Sequence, residues 1–227
     1  MLLFYKLESA PSAGPYGMKP PVVLLGSSGH AKVIIGMIEE NAHFDVAGCT
    51  SAAGGPGDVL GYPVLGDDSI LEQALASGVS HTFVAVGDNR LRLELLARVE
   101  ALGFDVISVV SDRAIVSRRA TVGIGAAVMP GAVVGVEASI GYGAIINSGA
   151  VVEHNCSIGP YVHVGPGACL AGGVQVAEGA FLGTGCKVIP GVKIGAWSTV
   201  GAGAVVIRDI PAHKTAVGVP AIVRLID

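Results

Sequence analysis

From Asp112 onward the chain places an aliphatic residue at every sixth position without a slip: Val116, Val122, Val128, Val134, Ile140, Ile146, Val152, Ile158, Val164, Leu170, Val176, Leu182, Val188, Ile194, Val200 and Val206. Four positions later come mostly small residues, among them Ala126, Ala132, Ala144, Ala150, Cys156, Ala168, Ala180 and Cys186, and glycine often follows the aliphatic directly. This is neither the period of a strand nor that of a helix. It requires a solenoid whose short strands turn a corner at each repeat, with aliphatic side chains stacked inside and small residues at the corners. Three repeats make one coil, and coils rise by roughly 4.8 Å, one inter-strand spacing. The pattern predicts a parallel β-helix of about five coils, with three of the four cysteines in the small internal slot as packing atoms.

Upstream the pattern changes. Val22–Gly26 is a short apolar strand, and Val33, Ile34, Met37 and Ile38 then follow a helical period. A second strand is read near residues 44–49, followed by a Gly-rich loop; DDSILEQALASG reads as a capped helix, SHTFVAVG as a buried strand, NRLRLELLARVEALG as a third helix and FDVISVV as a last strand. Alternating β and α elements of these lengths imply a small parallel sheet covered by helices. The expected organisation is a flexible leader at 1–20, a Rossmann-like α/β domain at 21–111 and the β-helix at 112–227.

The composition agrees with this division. The 227 residues include 34 glycines, about double the usual frequency. Mean hydropathy is +0.64, yet Gly, Pro or a charge interrupts every apolar stretch well short of a spanning helix, so no membrane partner is expected. A net charge of −4 gives no general attraction to nucleic acid. Four cysteines without a CxxC pair, and no secretory signal, point to a reducing cytoplasm.

Three sets of residues can carry chemistry. Gly26, Ser27, Ser28, Gly29, His30 and Lys32 lie where the first strand meets the first helix, and their amides can cradle an anion, although the full dinucleotide fingerprint is missing and Thr50 rather than an acid ends the second strand. A glycine turn serving only tight packing is the alternative. Gly87, Asp88 and Asn89 follow a buried strand at the carboxyl end of the sheet, either capping the next helix or also touching a sugar or base. Asn147 with Glu153, His154 and Asn155 interrupts a repeat array whose equivalent positions are otherwise mostly Gly, Ala, Pro or Ser. A neutral imidazole can take the proton from an amine or hydroxyl attacking a thioester. His163 follows half a coil later and should sit on the opposite side of the prism, so two histidines serving one site would come from neighbouring subunits. Gly172, Gly173, Thr184, Gly201 and Ala202 present backbone beside short side chains, along which a pantetheine arm could lie; coil geometry alone would also demand such residues.

From GSSGHAKVII through the GDN loop and the hexapeptides to GVPA, the chain resembles the left-handed β-helix acyltransferases that O- or N-acetylate sialic acid and nucleotide-linked amino sugars. The resemblance implies the handedness, acetyl-CoA as co-substrate without a metal, and a homotrimer with active sites between subunits. It also implies a nucleotide-sugar diphosphate on the Gly26–Lys32 loop, His154 as general base and His163 against the acyl thioester. Members often carry an acid directly after the base, where Asn155 stands here. The GDNR loop and AIINSGAVVEH look most like the perosamine-type transferases, implying N-acetylation of the 4-amino group of a GDP- or UDP-linked deoxysugar. The alternatives are a sialic acid-type O-acetyltransferase and a non-catalytic nucleotide-sugar-binding solenoid. A γ-class carbonic anhydrase would need three zinc-binding histidines, for which only His154, His163 and His213 are available.

Overall fold

The computed structural model describes residues 4–5 and 19–224. Of the expected leader, only Phe4–Tyr5 and residues 19–20 fall within that range. The chain divides into two compact units, Leu7–Val109 and Val110–Asp227, the second also taking Met1–Lys6.

The first unit is a six-stranded sheet in the order Asp58–Val59, Tyr62–Gly66, Asp45–Thr50, Pro21–Leu25, His81–Val84, Asp105–Val106. All neighbours run parallel except the edge pair Asp58–Val59 and Tyr62–Gly66. Val22 to Leu25 are fully buried because a strand between two parallel neighbours is covered on both faces. The Gly29–Asn41 helix buries Ala31, Ile34, Ile35, Met37 and Ile38, and the Asn89–Leu102 helix buries Leu96 and Val99.

Two features depart from the sequence reading. The Gly-rich loop leads into a β-ribbon whose turn, Leu60–Gly61, has both φ angles positive, the geometry that two-residue hairpins favour. Leucine is an unusual residue for that position, and so the ribbon gave little sequence signal. FDVISVV is also not one strand: Asp105–Val106 ends the first sheet, whereas Val109–Val110 straddles the division of the chain.

The second unit is a parallel β-helix of left-handed hexapeptide type. From Ile115 to Val206 a two- or three-residue strand begins at six-residue intervals, and each up to Lys187–Val188 pairs with the strand 18 positions on, as in Val151↔Cys169 and Val152↔Leu170. The three sheets close a prism. The aliphatic second residue of each strand fills the interior at 0–3% exposure from Val122 to Val206, and the alanines and cysteines of the small slot fill the space between.

Alternation sends the first residue of each strand outward. One face therefore presents Thr121, Ser139, Ser157, Gln175 and Lys193, all polar, and another presents Ile115, Val133, Val151, Cys169, Lys187 and Val205. Cys156 and Cys186 occupy the interior slot as expected, but Cys169 belongs to this second outward column. It precedes the interior Leu170 and so faces the other way. Antiparallel strands cover the two ends: Phe4–Tyr5 pairs with Val122–Gly123, and Ile222–Arg224 with Thr215–Val217. Among the described residues no helix is long and apolar enough to cross a membrane.

Candidate functional site

In the first unit, the chain winds from the Pro21–Leu25 strand to one side of the sheet and later returns to its other side, so the order reverses between Pro21–Leu25 and His81–Val84. Ligands of open α/β sheets bind beyond the carboxyl ends of the strands at such a switch point. Leu25 and Val84 are paired in register, so the loops that follow them leave the sheet side by side. The two loops are the Gly26–Gly29 and Gly87–Asn89 segments singled out in the sequence. Gly26 has φ +114°, and a Cβ there would lie 2.8 Å from the Ala85 carbonyl oxygen, so the backbones of the two loops touch where only glycine fits.

The side chains of these loops divide in role. Ser28 caps the first helix with its backbone only; it and Gly29 are exposed, as is Lys32, while Ser27 and His30 are half-buried. Asp88 accepts a hydrogen bond from the Leu91 N–H at 2.9 Å, a helix cap. Asn89 turns inward, 8% exposed, and its Oδ1 accepts from Arg92 Nη2 at 2.8 Å. Thr50 is buried and donates to Asp68 Oδ1 at 2.6 Å. The carboxylate missing after the second strand is thus supplied at its end by the turn before the second helix, and Arg98 lies 3.8 Å from the other oxygen of Asp68.

In the β-helix the predicted site residues separate onto two corners. The first carries Glu153–His154–Asn155, with Ala171–Gly172–Gly173 one coil above. His154 Nδ1 lies 2.9 Å from Asn155 Oδ1, and Asn155 Nδ2 donates to Glu137 Oε2 at 2.8 Å. A carboxylate can only accept, so Glu137 fixes the Asn155 amide with its oxygen toward the imidazole. In the neutral ring Nδ1 of His154 therefore carries the proton, which puts the lone pair on Nε2.

The sequence reading did not find Glu137. It lies 18 positions before Asn155, directly beneath it, so the coil period was the available signal. Glu153 is exposed, and its side chain makes no hydrogen bond or ion pair among the described residues. Gly172, expected on the cofactor path, has a more immediate role: a Cβ there would overlap the His154 ring, 2.5 Å from Nε2. The imidazole lies on the space that glycine leaves, and Gly173 N–H donates to the His154 carbonyl at 2.9 Å.

The second corner carries Asn147, with Gly183–Thr184 and Gly201–Ala202 two and three coils above. Asn147 belongs with His163 and not with His154. The Ser148 N–H donates to Asn147 Oδ1 at 2.8 Å, so Nδ2 faces His163 Nε2, 3.0 Å away. By the same reasoning that Nε2 is the acceptor and Nδ1 carries the proton. His163 is 9% exposed and its ring meets Phe181 edge-on, with centroids 5.3 Å apart. The outward column from Ile115 to Val205 lies between these two corners. Among the described residues no group of three metal-ligating side chains converges.

Residues 21–99 match the PglD N-terminal domain family, and residues 173–208 the bacterial transferase hexapeptide (six repeats) family. A perosamine N-acetyltransferase from Caulobacter crescentus, solved as a histidine-to-asparagine variant with CoA and GDP-perosamine, is similar at 45% identity and a TM-score of 0.89, over 91% of this chain and 97% of its own. The acetyltransferase domain of PglB from Neisseria gonorrhoeae FA1090, solved with acetyl coenzyme A, is 32% identical over 91% of this chain and 100% of its own, with a TM-score of 0.86. WeeI from Acinetobacter baumannii AYE shares the fold at 24% identity and a TM-score of 0.78. No curated protein sequence matches the chain.

Proposed function

The chain belongs to the hexapeptide-repeat acyltransferases that acetylate nucleotide-linked amino sugars, and from that premise we propose that it transfers the acetyl group of acetyl-CoA to the 4-amino group of a nucleotide-linked deoxysugar. The observation that carries this reading is the His154–Asn155–Glu137 chain, which directs the lone pair of the neutral imidazole to Nε2 at a corner lined by Ala171, Gly172 and Gly173. The 45% identity to an enzyme solved with CoA and GDP-perosamine favours a GDP-linked acceptor of the perosamine kind. The switch-point loops of the first unit hold the nucleotide, and the thioester lies along the small residues of the β-helix corners.

In the reaction the amine nitrogen attacks the thioester carbonyl carbon and His154 Nε2 takes a proton from it. The imidazolium that forms is stabilised through Asn155 by the Glu137 carboxylate. The tetrahedral intermediate then collapses, the C–S bond breaks, and the CoA thiolate leaves and takes up the proton, giving the amide and free CoA. An N–H donor at the developing oxyanion lowers the barrier; His163 can offer only Nδ1–H, because its Nε2 accepts from Asn147.

The enzyme works in the cytoplasm as a homotrimer with sites between subunits. Two observations support the trimer. The Ile115–Val205 column is an outward face that is apolar at every position but Lys187, with Ile115 at 69% exposure, whereas the Thr121–Lys193 face is polar throughout. The apolar face is also flanked by both functional corners. Packing that face around a threefold axis sets the His154 corner of one copy beside the Asn147–His163 corner of the next.

The test is CoA thiol release from acetyl-CoA over GDP- and UDP-linked 4-amino sugars and free sialic acid. Release with a nucleotide amino sugar is expected, and release with sialic acid alone would make the protein an O-acetyltransferase. Mixing impaired His154→Ala and His163→Ala subunits restores part of the activity if sites are shared; no restoration after verified subunit exchange would overturn the shared site.

A further inference from the structure

Arg92 is 1% exposed, one turn into the Asn89–Leu102 helix, among the least expected places for a guanidinium. Burial pushes its pKa down to about 10, with Asp88 acting in the opposite direction, so it stays cationic near neutrality. The cost of placing a charge there must be offset by what it holds. Its Nη1 donates to the Val86 and Gly87 carbonyls, each at 3.0 Å, and its Nη2 to Asn89 Oδ1 at 2.8 Å. All three acceptors belong to the loop that leaves the His81–Val84 strand at the switch point.

A trans peptide points its C=O and its N–H to opposite sides. With the carbonyls of Val86 and Gly87 drawn inward to the guanidinium, the amide N–H groups of Gly87 and Asp88 face away from it. Beside them stands the amino end of the Gly29–Asn41 helix, brought close by the contact of Gly26 with Ala85. Resting on the reading that the first unit holds the nucleotide, we propose that Arg92 is a positioning residue for nucleoside diphosphate recognition. From inside the protein it fixes the path of the Val86–Asn89 loop beside the diphosphate or its sugar, and it places a positive charge behind that loop.

The role calls for the planar fork of arginine. A lysine ammonium keeps the charge but cannot reach three acceptors spread over four residues in the same geometry. It also predicts that the acetyl-CoA half of the reaction is indifferent to residue 92, since every contact named above belongs to the nucleotide loop.

The experiment uses the full-length protein, with wild type, Arg92→Lys, Arg92→Met and Asn89→Ala compared by GDP and UDP titration calorimetry and by steady-state kinetics in both substrates. Arg92→Met should weaken binding of the nucleotide, and raise KM for the nucleotide sugar, by about ten-fold or more, with KM for acetyl-CoA within about two-fold. Arg92→Lys and Asn89→Ala should fall between. Parallel loss of kcat and of both KM values, tracking a lowered melting temperature, would mean that Arg92 only stabilises the fold. If Arg92→Met does not fold, the split in KM is read from Arg92→Lys and Asn89→Ala, and unchanged nucleotide affinity in both would overturn the proposal. Failure of the wild type to bind either nucleotide would instead sink the underlying assignment of the first unit.

Discussion

In the β-helix the spatial neighbour of a site residue lies 18 positions away along the chain, whereas in the α/β unit it lies on another loop beyond the same sheet edge. Asn155 finds Glu137 one coil below, and His154 finds Gly172 one coil above. Gly26 instead finds Ala85, across paired strands and far away in sequence. The solenoid has a rigid, repetitive core indifferent to what its corners carry, so a reacting group can be added at one corner and tuned from the coil beneath. On the reading proposed above, the α/β unit builds recognition from loops held from within, by a buried guanidinium and a close backbone contact. The difference predicts separable effects: changes at the β-helix corner act on the chemical step, and changes at the switch point act on nucleotide affinity.

The sharpest attempt to break that separation is His154→Ala. Removing a general base typically costs 10² to 10⁴, and here a loss in kcat of about 10²-fold is expected, because an amine is a good nucleophile and the departing thiolate can also take the proton. GDP affinity by calorimetry should be unchanged. A nucleotide affinity that falls along with kcat would join the two regions into one site.

Gly172→Ala asks the same question of the packing. Its added Cβ would overlap the imidazole, so the ring must leave its seat while the fold is otherwise kept. A displacement of that kind should lower kcat by about 30-fold; a full-rate Gly172→Ala enzyme would show that the ring position does not matter. Gly26→Ala is the counterpart in the other region, at φ +114° and against a carbonyl. It should raise KM for the nucleotide sugar by about ten-fold and leave that for acetyl-CoA alone.

Glu137→Gln is subtler. The amide keeps a hydrogen bond to Asn155 but removes a negative charge that favours the imidazolium, so kcat should fall by about five-fold. Glu153→Gln, exposed and outside the chain of hydrogen bonds, should leave kcat unchanged. A kcat that falls with Glu153→Gln and not with Glu137→Gln would reverse the assignment.

What the sequence disclosed follows the same division. The six-residue period determines which side chains point inward for the whole solenoid, because a strand of two residues leaves no freedom of register. It showed His154 by its contrast with the surrounding Gly and Ala positions. It did not show Glu137, because that carboxylate lies one coil below Asn155 rather than beside His154 in the chain. In the α/β unit both switch-point loops were visible as glycine-bearing strand ends, but Arg92 stands in NRLRLELL as one more charge in a helix. Only the tertiary fold shows that this charge is buried. The Asp58–Gly66 ribbon was hidden by a leucine in the turn and a proline in the strand.

The smallest expected effect tests the apolar face rather than the chemistry. Burial pushes the Cys186 thiol up to about 12 and raises those of Cys49 and Cys156, so at pH 8 almost none of these is thiolate, and none reacts with a disulfide reagent while the protein is folded. Raising the pH to about 9 leaves Cys186 silent, because its thiolate gains population only near its own pKa. Cys169 stands outward and half-exposed between Val151 and Lys187 on a single chain. If the apolar column is where copies meet, Cys169 is covered in the assembly and reacts only after dissociation to folded subunits. The expected titration is therefore none of four thiols in the intact oligomer and one after dissociation. One thiol reacting at the same rate in both states would leave the apolar face open to solvent and move the subunit contact elsewhere on the prism.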